Sequence, residues 1–206
     1  MRYNICIMIG IIGNGSHSKK IQLVLNKKKV SFIVYKPNKP NYFNKTEFNN
    51  LKKCKIIFIL SPNHSHYNYI RKLHRGRYIF CEKPPVNNKK DLSKLKKINH
   101  KKIYFNYNFR FTKLAKILMH REKYNLGKLI YANLTVSHGL SQKKDYKKNW
   151  RSNIKKCPKG IFEMVSIHYI DLINYIFGDI KINKPKLINS SKKGNSFDTS
   201  LVEAKL

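Results

Sequence analysis

Residues 5–18 read ICIMIGIIGNGSHS. The apolar run Ile5–Ile12 leads straight into Gly13-Asn14-Gly15, and Ser16-His17-Ser18 then opens a stretch with helical spacing. A short, unbroken apolar run closed by a glycine turn reads as a strand buried on both faces of a parallel sheet. A strand, a G-x-G-x-x turn and a helix in succession form the setting in which backbone cradles a dinucleotide pyrophosphate. Gly13 permits the tight turn, Gly15 lets a phosphate approach the main chain, and the helix start offers N–H donors and a positive dipole end. Ser18 takes the third glycine's place and is small enough for close helix packing. The candidate cofactor residues of this turn are Gly13, Asn14, Gly15, Ser16 and His17. The same run lies behind Arg2 and imitates a secretory segment, but Gly13-Asn14-Gly15 stands where an A-x-A-like cleavage site would be expected. It is also far short of the roughly 18 apolar residues of a spanning helix, so no membrane role is expected.

Working outward, apolar runs alternate with helical patterns. Strands are expected at Ile5–Ile12, Ser31–Tyr35, Lys55–Leu60, Tyr78–Cys81 and Lys102–Tyr107, and helices at Ser18–Asn26, Glu47–Lys53, His66–Leu73 and Asp91–Ile98. Five βα units with right-handed crossovers make a doubly wound α/β sheet. Past Arg110 the pattern changes to a helix near Leu114–Lys123, a long strand at Leu129–His138, a Lys-rich loop, one amphipathic helix over Ile161–Phe177, and strands at Ile180–Ser190 and Phe197–Leu206. The expected organisation is a nucleotide-binding domain over 1–109 and a partial α+β domain over 110–206 with an open, mainly antiparallel sheet. The terminal run Ser200–Leu206 is expected to lie at an open sheet edge, which natural proteins blunt or pair; the second domain reads as unfinished.

Composition constrains the partners. Lys+Arg 44 against Asp+Glu 10 gives a net charge of +34, while 41% hydrophobic residues suffice for a core. Such a charge excludes an acidic calcium buffer and invites nucleic acid, because clustered cations release counterions from phosphates. Only seven of the cations are Arg, Ala occurs only at 115, 132 and 204, and Lys, Asn and Ile abound. That is the composition of AT-rich codons, although it leaves the scarcity of acids unexplained. The Lys pairs scatter over helix ends and loops instead of forming a stripe, so a solvated surface is expected and no specific nucleic-acid partner. Cys6, Cys54, Cys81 and Cys157 stand singly, without metal-ligand spacing. A reduced, cytoplasmic protein without disulfides or a metal fits that usage.

In an open parallel sheet, ligands bind outside the carboxyl ends of the strands. The second strand ends in Tyr35-Lys36-Pro37-Asn38-Lys39, which lacks the ribose-gripping carboxylate and offers two ammonium groups. Tyr35 and Lys36 are therefore candidate cofactor contacts, with NADP slightly favoured over NAD; the alternative is two more surface lysines. The third strand runs into Ser61-Pro62-Asn63 with His66, and the fourth into Glu82-Lys83-Pro84. With Tyr107, Arg110-Phe111, Trp150-Arg151 and His168-x-x-Asp171, these segments resemble, in order and spacing from Ile7 to about Gly178, the motifs of the Gfo/Idh/MocA oxidoreductases (glucose-fructose oxidoreductase, inositol dehydrogenase and relatives).

That resemblance implies a Rossmann domain binding NAD or NADP, followed by an α/β domain whose large sheet covers the nicotinamide and often mediates oligomers. It implies hydride transfer to or from a sugar, cyclitol or nucleotide-sugar derivative. Ser61, Pro62, Asn63, His66, Glu82, Lys83 and Pro84 join the cofactor set. Lys83 matches the lysine beside substrate and nicotinamide, where loss of hydride from a C–H requires departure of the neighbouring O–H proton. His168 matches a substrate-contacting histidine, with Arg110, Trp150, Arg151 and Asp171 as substrate-binding candidates; a core role for His168 and an interdomain salt bridge for Arg110 are the alternatives. Many relatives carry an acid four residues before that histidine, where this chain has Met164, and on an α-helix the neighbouring Glu163 points about 100° away. The resemblance also implies more strands than this chain supplies. Three expectations follow: a sugar-type oxidoreductase working as a homo-oligomer or with a partner at the open sheet; an inactive nucleotide-binding remnant; and a basic nucleic-acid-binding protein.

Overall fold

The computed structural model describes residues 8–37, 45–137 and 139–205. The chain divides into two compact units, Met1–Asn106 and Tyr107–Leu206.

In the first unit the strands are β1 Ile9–Ile12, β2 Phe32–Tyr35, β3 Ile56–Ile59, β4 Tyr78–Glu82 and β5 Ile103–Asn106. They are hydrogen-bonded in the order β2-β1-β3-β4-β5, every pair parallel. Between them run α1 Ser16–Lys27, α2 Lys45–Lys53, α3 His66–Leu73 and α4 Lys89–Lys96. Each expected strand and helix of this half with described residues is present, with ends shifted by a few residues. Alternate residues of the strands feed two cores: Ile12, Ile57, Ile59, Ile79 and Cys81 pack with Leu51, Ile70 and Leu73 on one face, and Ile9 and Ile11 with Leu25 on the other. Gly10 lets these side chains pack closely: a Cβ there would stand 2.8 Å from the end of Leu51 and 2.7 Å from that of Ile57, so both would have to shift. Burial on both faces holds for β1 but not for β4. Tyr78 and Phe80 alternate outward, and Phe80, 37% exposed, stacks between Phe58 and Tyr104 in a ladder of rings across β3, β4 and β5. Asn88 caps α4 by accepting a hydrogen bond from the Asp91 N–H at 2.8 Å.

The second unit departs further from expectation. It holds α5 Lys113–Met119 and α6 Ile167–Phe177, with several 3-10 turns, among them Asn108–Phe111 and Trp150–Ser152. Residues 129–137 form no strand; almost all are exposed, and apolar alternation makes a strand only where a ladder partner satisfies the backbone. The expected helix over Ile161–Phe177 is not uniform: Phe162–Ser166 is a π-helical turn, marked by the Ile167 N–H donating to the Phe162 carbonyl, and α6 follows. The two late strands each split, giving β6 Lys181–Ile182, β7 Lys186–Ile188, β8 Thr199–Leu201 and β9 Ala204–Lys205. Antiparallel pairing joins β6 to β9 and β7 to β8, so the described part of Ser200–Leu206 is divided between two separate two-stranded ladders. Among the described residues no helix is long and apolar enough to cross a membrane.

Candidate functional site

The glycine turn is fixed by its neighbours in the sheet. The Gly13 N–H donates to the Tyr35 carbonyl at 2.9 Å, and the Leu60 N–H donates to the Ile12 carbonyl at 2.8 Å. Gly13 has φ +108°, and a Cβ there would stand 2.6 Å from the Leu60 carbonyl oxygen, so position 13 accepts no side chain. Gly15 differs: its φ is −75° and a Cβ would meet nothing within 4 Å. It is the N-cap of α1, whose first-turn N–H groups point out of the helix start. The open space beside Gly15 and those donors fit a pyrophosphate. Ser18 is buried and donates to the Gly13 carbonyl at 2.8 Å, and Gln22 bridges Ser18 and Asn14 behind the turn.

At the end of β2, Tyr35 meets the turn through its carbonyl. Its ring is buried edge-on against Tyr69, with centroids 6.4 Å apart. Lys36 is exposed; Asn38 and Lys39 lie outside the described residues. At the end of β3, Ser61 and Ser65 share a hydrogen bond of 2.7 Å, and the Ser65 hydroxyl donates to the Pro62 carbonyl. Asn63 is buried in the 3-10 turn that leads into α3. His66 is completely buried, and its two ring nitrogens lie 2.8 Å from the carbonyl oxygens of Pro84 and Ser61. It therefore clamps the β3 rim to the turn after β4 through backbone. Burial lowers its pKa, against the pull of those carbonyls and of Glu82.

The turn after β4 gathers ionisable side chains. Lys83 is 7% exposed and joined to Pro84 by a cis peptide. Glu82 accepts from the Asn106 side chain at 2.7 Å and pairs with His17 at 3.0 Å. Burial opposes the charge on Glu82, but the bonds from His17 and Asn106 and the positive charge of Lys83 outweigh it and hold its carboxyl below the usual range. The hydrogen bond to Glu82 raises the His17 pKa, against burial and the nearby Lys20. Neither Asn106 nor the His17–Glu82 pairing was expected from sequence. Glu82 and Asn106 are partners because β4 and β5 are adjacent in register, which no local pattern reveals.

In the second unit the 3-10 turn Asn108–Phe111 lies on α6. Phe109 stacks on the His168 ring with centroids 4.7 Å apart and meets Tyr169 edge-on. Arg110 grips Asp171 with both fork nitrogens, Nε at 2.7 Å from Oδ2 and the terminal nitrogen at 2.5 Å from Oδ1. Its guanidinium also lies over the Tyr107 and Tyr175 rings. The Arg110 bridge is thus made within one unit and neutralises two of the residues expected to bind substrate. Arg151 lies over its neighbour Trp150 at 4.6 Å and is held by Asn149. Phe109 is a member of this cluster that sequence reasoning missed. The π-turn also changes the geometry at Glu163. A turn closed by i→i+5 bonds carries one residue more than an α-turn, so the angular spacing of a uniform α-helix does not hold at Glu163. Its side chain is buried and accepts from the Lys159 N–H at 3.1 Å.

Residues 10–107 match the model of an oxidoreductase family described by its NAD-binding Rossmann fold, Gfo/Idh/MocA. Among curated proteins none matches the chain. Among solved structures, the chain is similar to an inositol dehydrogenase homolog from Azotobacter vinelandii complexed with NAD+ (16% identity, TM-score 0.70, 97% of this chain and 62% of that one). It is similar to the WlbA dehydrogenase from Bordetella pertussis in complex with NADH and UDP-GlcNAcA (15%, 0.75, 97% and 68%). It is also similar to a levoglucosan dehydrogenase in complex with NADH and levoglucosan (16%, 0.76, 97% and 63%). At such identities the likeness is one of fold, and the chain spans 62% to 68% of these proteins' lengths.

Proposed function

We propose that this chain, whose residues 10–107 match the model of the Gfo/Idh/MocA family of NAD-binding oxidoreductases, transfers hydride between a nicotinamide dinucleotide and a carbinol of a sugar, cyclitol or nucleotide sugar. The observation that carries the reading is the rim of the first unit. An unobstructed glycine N-cap of α1, just after β1, and a buried Lys83 after β4 are tied together through His17 and Glu82. Gly13, Gly15 and the first turn of α1 would hold the pyrophosphate, and Ser61, Pro62 and Asn63 would line the rim beside it. The dinucleotide supplies the hydride acceptor or donor. Lys83 is proposed to hold the proton that leaves or joins the substrate oxygen as the C–H bond breaks or forms, the task of a positioned acid/base. His66 fixes the backbone on both sides of that turn, and His168, its ring held by Phe109, is the proposed substrate-contacting imidazole of the second unit. Arg110 already spends its fork on Asp171, so its proposed part is to hold α6. Exposed Lys36, with no carboxylate beside Tyr35, favours NADP. The buried free thiols of Cys54, Cys81 and Cys157 suit a reducing, cytoplasmic setting.

Fluorescence titration with NADH and NADPH tests the cofactor site. Saturable binding to the parent chain is expected, and Gly15→Asp is expected to abolish it without unfolding the protein, because a Cβ at 15 meets only open space while a carboxylate there repels the pyrophosphate. A folded parent chain that binds neither dinucleotide refutes the reading. A second reading, a nucleotide-binding chain without turnover, is favoured by confinement of the family match to residues 10–107. It requires intact binding and no NAD(P)-linked oxidation across a panel of sugars, cyclitols and nucleotide sugars.

A further inference from the structure

We propose that His17, through its bridge to Glu82, is a cofactor-affinity residue that makes dinucleotide binding pH-dependent. The inference rests on the cofactor site proposed above. His17 is the second residue of α1, inside the turn whose N–H groups would face the pyrophosphate, and no acidic residue occupies the first turn of that helix. A cation at a helix N-terminus is disfavoured by the dipole. Here the Glu82 carboxylate, 3.0 Å from His17 Nε2, offsets that cost and fixes where the charge sits. Glu82 is itself anchored by Asn106 at 2.7 Å. The imidazole is therefore not a freely rotating surface group.

The sheet order gives the bridge a further meaning. β3 lies between β1 and β4, so a contact from the turn after β1 to the end of β4 passes over the rim of β3, where Ser61, Pro62 and Asn63 stand. It couples the phosphate turn directly to the residue before Lys83. The charged groups around the pair are Lys20 on α1 and Lys83 after β4; Asn106 on β5 is a neutral donor, and the Glu82 charge acts in turn on the buried His66 of α3. Protonated His17 adds one positive charge to the site of a dianionic pyrophosphate, and its neutral form adds none. An anion bound nearby favours the imidazolium, so binding must be tighter below the free chain's His17 pKa and must weaken as pH rises through it.

The test is NADH affinity by fluorescence titration from about pH 6 to about pH 8.5, with the parent chain, His17→Gln and Glu82→Gln. NADH is the suitable probe because its pyrophosphate does not titrate there, whereas the 2'-phosphate of NADPH has a pKa near ~6. The parent is expected to lose about two- to fivefold in affinity across this range, the scale of one partly exposed charge at a helix start. His17→Gln keeps a donor for Glu82 but no charge, and is expected to bind at the parent's high-pH level throughout. Glu82→Gln is expected to shift the transition to lower pH, and the His17 ring resonances should follow by nuclear magnetic resonance. A parent that binds NADH with no pH dependence, or with the same slope in His17→Gln, overturns the proposal while leaving the cofactor site intact. Tighter binding by His17→Gln at every pH overturns it too, and shows that the bridge obstructs the groove. Absence of NADH binding by a folded parent removes the site and the proposal together.

Discussion

The two units bury their chains by different means. In Met1–Asn106, parallel strands place Ile11, Ile12, Ile57, Ile59 and Ile79 at zero exposure, and helices close over them. In Tyr107–Leu206, the buried hydrophobic residues among those described are Ala115, Tyr146, Cys157 and Leu172. Order there is carried instead by side chains bonded to backbone. Ser152 donates to the Lys147 and Asn149 carbonyls, the Asn195 side chain accepts from the Ile154 N–H, Ser196 donates to the Cys157 carbonyl, and Asp198 accepts from the Ser190 and Ser191 N–H groups. An apolar core is written as a period along the chain. A network of loop hydrogen bonds has no period, because its partners are set by where loops meet.

The largest effect expected from this difference is in the first unit. Ile79→Ala, on β4 between β3 and β5 and fully buried in the core, should lower unfolding stability by about 2–5 kcal/mol. Urea denaturation of parent and variant measures it. In the second unit the corresponding weak point is polar. Asp198→Ala removes a carboxylate that accepts two backbone N–H bonds at 2.8 and 2.9 Å, and should cost about 1–3 kcal/mol. Proteolysis and hydrogen exchange should report loosening around β7 and β8. If Ile79→Ala proves harmless while Asp198→Ala unfolds the whole chain, the division of labour between the units is wrong.

The same contrast explains what could be read in advance. The strands of the first unit were legible because Ile, Val and Phe recur in short runs broken by turns, and α3 begins and ends where the sequence predicts, His66–Leu73. The glycine turn was legible because position 13 tolerates only glycine. The expected strand at 129–138 is absent over its described residues, 129–137, because alternation says nothing about a pairing partner. The π-turn at Phe162–Ser166 failed for a related reason: the apolar spacing across one wide turn is indistinguishable from that of an α-helix until the backbone bonds are known. At the site, the residues on the rim could be named, but not their partners. Arg110 and Asp171 are 61 residues apart and Glu82 and Asn106 are 24 apart, so only the fold brings them together.

The smallest effect concerns the His17–Glu82 pair as a contribution to stability, and its pH window follows from the two shifts. Glu82 has a folded-state pKa below its ordinary value, so its contribution is present above the ordinary carboxylate range and is lost as pH falls through the lowered value. His17 has a folded-state pKa above its ordinary value, so its contribution is present below the ordinary imidazole range and is lost as pH rises through the raised value. The pair therefore stabilises the first unit between roughly pH 4.5 and 6.5 and fades on both sides. The His17 side chain is 50% exposed and that of Glu82 21%, so solvent screening limits the coupling to a few tenths of a kcal/mol, at most about 1. A double-mutant cycle with His17→Gln, Glu82→Gln and both together, followed by urea denaturation, should show coupling near about pH 5.5 and none near about pH 8.5. Coupling that persists undiminished at the higher pH would mean that a neutral imidazole suffices. The link between the first turn of α1 and the Lys83 turn would then be a matter of hydrogen-bond geometry, and the charge of His17 would not hold it.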